Sequence, residues 1–171
     1  MGLVRVDRVV GIIVVMQLNH RQEFPAPPER VFAMLTDEDF LRHAAVRMGS
    51  PDAKVAASAT RTAVEATIDT PPEIKAFVGP RLSILLDVDW GAAAADGSRS
   101  GTFSMAVPGT PVTVAGTTGL VPTASGSELV YDGELTVKVP LLGARIEREA
   151  APAILEALDA QARVGQEWLN R

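Results

Sequence analysis

The chain contains no cysteine, which excludes disulfide staples, thiolate nucleophiles and cysteine-held metals. Histidine is almost as scarce: His20 and His43 are the two present, too few for a histidine-rich metal centre. Basic residues are outnumbered, 16 against 21 acidic, and the formal charge of -5 supplies no broad cationic surface for a phosphate backbone. Nucleic acid is therefore not expected as a partner. No apolar run approaches a membrane span. The stretch VVGIIVVM at residues 9 to 16 follows two arginines, but it has about half the length a span needs, and no small-residue cleavage site follows it. No stable membrane insertion is expected, and a cytoplasmic location is the default.

Sequence motifs for common enzyme classes are missing as well. GTPVTVAGTTG is glycine-containing but lacks the strand, lysine and helix that make a phosphate loop or a dinucleotide site. There is no histidine-glutamate zinc motif and no hydrolase elbow. No catalytic residue, cofactor or metal ligand is assigned on these grounds.

What is present suits one domain: 171 residues can enclose a core, or a core plus a cavity. Residues 1–15 read as an N-terminal extension, either a disordered tail, an extra strand or the product of an early start, because Met16 can open the domain by itself. From Met16 the run MQLNHRQEF reads as a strand closed by Phe24. The period then changes. Pro27 and Pro28 suit a helix entrance, Glu29 lies in the first turn, and Val31, Phe32 and Leu35 make its buried side. A second helix is expected after Thr36, whose hydroxyl can cap, with Phe40, Leu41 and Ala44 buried. The pair spans roughly residues 28–47.

Period two returns in residues 54–60 and 62–69, whose mostly alanine faces leave room for close packing or for a cavity. PPEIKAFVG allows one or two helical turns burying Ile74, Phe77 and Val78. RLSILLDVDW is the clearest strand, with Leu82, Ile84, Leu86, Val88 and Trp90 on one face. TFSMAV and PVTVAGTTGLV continue the sheet. SELVYDGELTVKVP then alternates over a long stretch, placing Leu129, Tyr131, Gly133, Leu135, Val137 and Val139 on one side. Gly133, on that inner face, marks a bend or a close approach. The C-terminal segment carries Leu142, Ile146, Ala150, Ile154, Leu158 and Ala162 at intervals of four, flanked by Ala157, Gly165 and Leu169. One face of a long helix, about residues 142–169, therefore packs on the sheet, with Pro152 expected to kink or divide it.

The element order and three motifs carry a resemblance. They are HRQEFPAPPERVFAMLTDEDFLR, PPEIKAFVGPRLSILLDVDW and GELTVKVPLLGARIE. Over residues 16–171, the chain resembles the START-like (SRPBCC) helix-grip superfamily and, within it, the mainly actinobacterial domain-of-unknown-function family DUF2505. Asp89 and Trp90, and the run Pro140, Leu141, Leu142 and Gly143, match that family's pattern; Pro152 inside the long helix departs from it. The resemblance implies an α+β fold in which a curved antiparallel sheet of about seven strands wraps around a long C-terminal helix, with two short helices after the first strand. It also implies an apolar cavity for a lipid, sterol or polyketide-like molecule, and transfers no catalytic residue.

Trp90, Phe103, Met105 and Tyr131 have the strand parity to line such a cavity, and each is equally compatible with ordinary core. Tyr131 stands out because a buried hydroxyl needs a polar partner. Asp87 and Asp89, two residues apart on one strand, are read as a solvated sheet face, and both histidines as satisfied surface groups. Three functions remain. The first is a noncatalytic carrier or sensor of a small hydrophobic molecule. The second is a cyclase or isomerase-like enzyme using the same cavity. The third is a structural or interaction domain with a collapsed core, for which a homodimer is expected.

Overall fold

The computed structural model describes residues 3–10, 13–70, 72, 75–138 and 143–171, and the side chains of 15–70, 72, 75, 76, 78–138 and 152–171. The elements in order are β1 Leu3–Val10, β2 Ile13–Phe24, α1 Pro28–Leu35, α2 Glu38–Arg47, β3 Lys54–Ala57, β4 Arg61–Asp69, α3 Lys75–Val78, β5 Arg81–Trp90, β6 Arg99–Ala106, β7 Val112–Thr123, β8 Gly126–Val137 and α4 Gly143–Leu169. All neighbouring strands pair antiparallel, in the order β1-β2-β8-β7-β6-β5-β4-β3. Strands β2 to β8 form the expected seven-stranded helix-grip sheet. β1, from the segment read as an extension, pairs with β2 and makes an eighth strand at the edge.

The alternation in sequence becomes the two faces of this sheet. On β8, Leu129, Tyr131, Leu135 and Val137 are buried while Asp132 and Glu134 face solvent. On β2 the buried set is Met16, Leu18, His20, Gln22 and Phe24. Burying these rows against α4 and the short helices stabilises the fold by about 25 cal/mol for each Å² of apolar surface covered.

α1 and α2 form where expected, with a different cap between them. Asp37 is the N-cap of α2 and accepts from the Asp39 amide at 2.8 Å, whereas the Thr36 hydroxyl donates back to the Phe32 carbonyl at 2.8 Å. A carboxylate at the helix entrance also gains from the helix dipole, which a hydroxyl does not. β3 ends at Ala57, short of the expected residue 60, because the Ser58 hydroxyl accepts from the amides of Thr60 and Arg61 and closes a turn. Ile74 and the Phe77 side chain lie outside the described residues.

α4 runs through Pro152 as a single 27-residue element, so the proline does not divide it. One missing donor removes one rung of the helical ladder and leaves the others in place. Leu142 and the side chains of Ile146 and Ala150 lie outside the described residues. From Ile154 onward the helix lies along β2, with β8, α1 and α2 beside it. Trp168 stacks edge-on against buried Phe40 of α2, with ring centroids 5.6 Å apart. The glycine in the apolar stripe has a reason in packing. A Cβ on Gly165 would lie 2.8 Å from Cε1 of Phe24 and 3.1 Å from Cε of Met34, so glycine lets the helix backbone press onto these side chains.

Candidate functional site

The pairing registers organise the concave face into rungs that run across the strands. One rung joins Met16, Leu135, Val114, Met105, Leu86, Val64 and Val55 and is apolar throughout. The next joins Leu18, Gly133, Gly116, Phe103, Val88 and Thr62. Its two facing glycines leave a hollow that the Phe103 ring fills: a Cβ on Gly133 would stand 2.8 Å from Cζ of Phe103. The third joins His20, Tyr131, Thr118, Gly101 and Trp90. This rung is polar in side-chain chemistry and buried, which makes it the unusual part of the face.

The four residues singled out in the sequence occupy two neighbourhoods. Phe103 and Tyr131 meet edge to face with centroids 5.4 Å apart, and Met105 follows Phe103 on the same face of β6. Trp90 belongs to another part of the sheet, where its ring stacks edge-on with Phe32 of α1 at 5.6 Å and the Arg99 guanidinium lies over the Phe32 ring, 3.7 Å from its centroid. None of the four lines either of two surface cavities formed by described residues. One, of about 390 Å³, lies among Pro25, Pro27, Glu29, Asp96 and Pro122; the other, of about 230 Å³, among Arg30, Ala33, Met34, Asp37, Trp168 and Leu169.

Tyr131 is buried, and that burial pushes its phenol pKa well above the usual value. Among the described residues no hydrogen bond engages its hydroxyl. Its cross-strand neighbour is His20, which sequence reasoning placed at the surface. His20 is in fact 1 % exposed. The difference arises because α4 lies over β2 and covers the inward face of that strand, a contact that no local pattern reveals. The signal that was available is parity: His20 and Gln22 alternate with Leu18 and Phe24 on one face of the same strand.

His20 and Gln22 both reach toward the same turn of α4. Nε2 of His20 lies 3.4 Å from a carboxylate oxygen of Asp159, and Nε2 of Gln22 donates to the Leu158 carbonyl at 2.7 Å. The Leu158 carbonyl can only accept, so the Gln22 amide must turn its nitrogen toward it, and Oε1 is left without a partner. The same reasoning assigns the His20 tautomer. Nε2, the nitrogen nearer the carboxylate, is assigned the proton although it closes no hydrogen bond there, which makes Nδ1 a bare acceptor; both ring nitrogens are unpartnered. Among the described residues, Trp90 Nε1 and Thr70 Oγ1 are the other buried polar atoms without a hydrogen-bond partner.

Burial lowers the pKa of His20 below 6.5, with the nearby Asp159 opposing part of that shift. The folded chain thus binds this proton less readily than the unfolded chain does. The His20 contribution to stability is complete above pH 6.5 and is lost as pH falls from there through the folded value. Urea unfolding midpoints are expected to drop between neutral and mildly acidic pH, and His20→Gln should remove much of that slope. An unchanged pH profile in the variant would mean that His20 is not the buried proton acceptor.

The outer face carries ordinary surface chemistry. Arg61 Nε donates to Asp87 at 3.0 Å and Asp89 is exposed, as expected of a solvated sheet face. His43 is half-buried, stacked at 5.5 Å on Trp168 with Arg171 beside it. Among the described residues there is no group of three carboxylate or histidine side chains placed to hold a metal, and no helix is long and apolar enough to cross a membrane.

Comparison with solved structures returns the same architecture. The STAR-related lipid transfer protein of Xanthomonas axonopodis superposes with a TM-score of 0.63 at 13 % identity, covering 98 % of this chain and 99 % of that one. A protein from Thermus thermophilus gives 0.59 at 18 % identity, covering 88 % and 94 %. Norcoclaurine synthase of Thalictrum flavum, solved with dopamine and hydroxybenzaldehyde, gives 0.57 at 16 % identity, covering 91 % and 89 %. At these identities the likeness speaks for the fold alone. No curated protein matches the chain. The family model described as "Protein of unknown function (DUF2505)" matches residues 19–169, from the buried face of β2 to the last residue of α4, and the chain belongs to that family.

Proposed function

We propose that this chain binds a small hydrophobic molecule between the concave face of the sheet and α4, as a carrier or sensor. One observation carries the reading. The inward apolar residues of β2 and β8 are buried, as are Val114 and Leu120 of β7, Val88 and Trp90 of β5 and Phe103 of β6, but a row through Val64, Ile84, Leu86 and Met105 remains half-buried, as do Ile154, Leu155 and Leu158 of α4. A core that had closed on itself would bury such a row. Apolar contacts along this row would supply most of the affinity, and the polar rung at its end would set orientation. The likeness in fold to a protein named for lipid transfer, and to one solved with two small aromatic molecules, adds support.

The test is native mass spectrometry of gently purified protein, followed by denaturing analysis of any extracted molecule and a binding panel of hydrophobic compounds. A stoichiometric adduct of several hundred daltons or micromolar binding from the panel is expected. Absence of both would overturn the proposal in favour of the structural reading. Met105→Trp, which adds bulk to the half-buried row, should weaken binding by about tenfold or more while the fold melts within a few degrees of the parent.

A second reading, a cyclase or isomerase-like enzyme in the same site, rests on the neutral imidazole of His20 set between Asp159 and Tyr131, a combination suited to moving a proton. Recovery of a bound molecule with altered structure after incubation, abolished by His20→Gln, would favour it over the carrier.

A further inference from the structure

The two acceptors left bare at the sheet–helix junction constrain what the ligand carries. We infer that the bound molecule presents a neutral hydroxyl, that of an alcohol or a phenol, to Nδ1 of His20 and Oε1 of Gln22. This inference rests on the hydrophobic-ligand reading and narrows its chemical class.

The argument is one of matching donors to acceptors. His20 and Gln22 are 1 % and 2 % exposed, and their side chains stand two residues apart on the inward face of β2. Gln22 spends its donor on the Leu158 carbonyl, Nε2 of His20 faces the Asp159 carboxylate at 3.4 Å without closing a hydrogen bond, and each side chain leaves an acceptor unmatched in a buried setting. An unmatched buried acceptor costs free energy that a donor from the ligand recovers. The adjacent Tyr131 hydroxyl, across the strand from His20, can donate to the same ligand oxygen, which a hydroxyl accepts without difficulty.

A carboxylate fits this place poorly. It would bring a negative charge and no donor toward two acceptors, and among the described residues no lysine or arginine is buried to compensate it. The imidazole cannot stand in readily as a cation, since burial favours its neutral form. A methyl ether would retain the apolar contacts but satisfy neither acceptor. The order expected of one carbon skeleton is therefore alcohol first, ether second and carboxylate last.

The experiment compares naphthyl and n-dodecyl skeletons, each as the alcohol, the methyl ether and the carboxylate, titrated into the full chain at about pH 8, where the imidazole is neutral. We expect the alcohol to bind about tenfold more tightly than the ether in at least one skeleton, with the carboxylate weakest. Gln22→Leu, similar in size and without the acceptor, should close most of the gap between alcohol and ether. Equal binding of alcohol and ether, or a preference for carboxylate, would overturn the hydroxyl inference and leave the hydrophobic-ligand reading standing. If no member of either series binds, it is the hydrophobic-ligand reading that fails. The parent chain alone supplies the decisive comparison, so a poorly folding variant leaves the conclusion intact.

Discussion

Gly133→Val is expected to lower the melting temperature by about 10 °C, corresponding to about 3 kcal/mol of overpacking in a domain of this size. The added Cβ would lie 2.7 Å from the carbonyl oxygen of Ala115 on the neighbouring strand and 2.8 Å from Cζ of Phe103. The first contact is with backbone, which can yield only by moving β7 away from β8. The second is with a ring already wedged edge-on against Tyr131. Valine's preference for strands offsets a fraction of this cost. Circular dichroism melts of the variant provide the measurement. A second substitution, Phe103→Leu, should return part of the loss, because the two residues share one space and their effects are not additive. Were Gly133→Val to melt within 2 °C of the parent, on the order of what half a kcal/mol would shift, the close seating of the ring on the glycine would be wrong.

The second large effect is expected at the other glycine of the apolar layer. Gly165→Leu should cost about 3 kcal/mol, because its branched side chain would have to occupy the place of the Phe24 ring and the end of Met34, both buried. Gly165→Ala is a useful control with a much smaller change. Alanine favours the helix by about 1 kcal/mol over glycine, its methyl meets the flexible end of Met34 at 3.1 Å, and methionine can change rotamer to admit it. Urea midpoints for the pair should therefore diverge strongly. The leucine variant should also alter the fluorescence of Trp168, which shares the last turn of α4 and stacks on Phe40. A leucine variant as stable as the parent would show that α4 is not seated on β2 and α1 through this residue.

These two glycines illustrate how far the amino-acid sequence could be read. Gly133 was recognisable as a residue of the inner face where something packs close, because period two places it between Tyr131 and Leu135. That the close neighbour is Phe103, two strands earlier in the chain, follows from the β6–β7–β8 registers. The terminal helix was legible from its stripe at intervals of four, and the role of Gly165 within it was not. The Asp37 cap was missed by one position because two capping residues stand side by side, and the backbone turn decides which of them is free to accept.

The candidate site shows the same division more sharply. Trp90, Phe103, Met105 and Tyr131 were all placed on the inward face by parity, and the structure puts Phe103 and Tyr131 in contact while carrying Trp90 away to Phe32. Parity says which side of a strand a residue occupies, but the sheet is eight strands wide, and the two ends of its face meet different helices. His20 and Gln22 were overlooked for the same reason. Polar residues on an alternating strand read as solvent-facing until something covers them.

By itself, then, the sequence determined the strands, the two short helices, the long terminal helix and the family to which they belong, since each depends on residue types at short, regular spacing. Tertiary structure alone decided which inward residues are sealed and which stay half-open, and it turned His20 and Gln22 into buried acceptors by laying α4 across β2. The reason is physical: periodicity is set within a few residues along the chain, whereas burial and unmatched hydrogen bonds depend on surfaces brought together across more than a hundred residues.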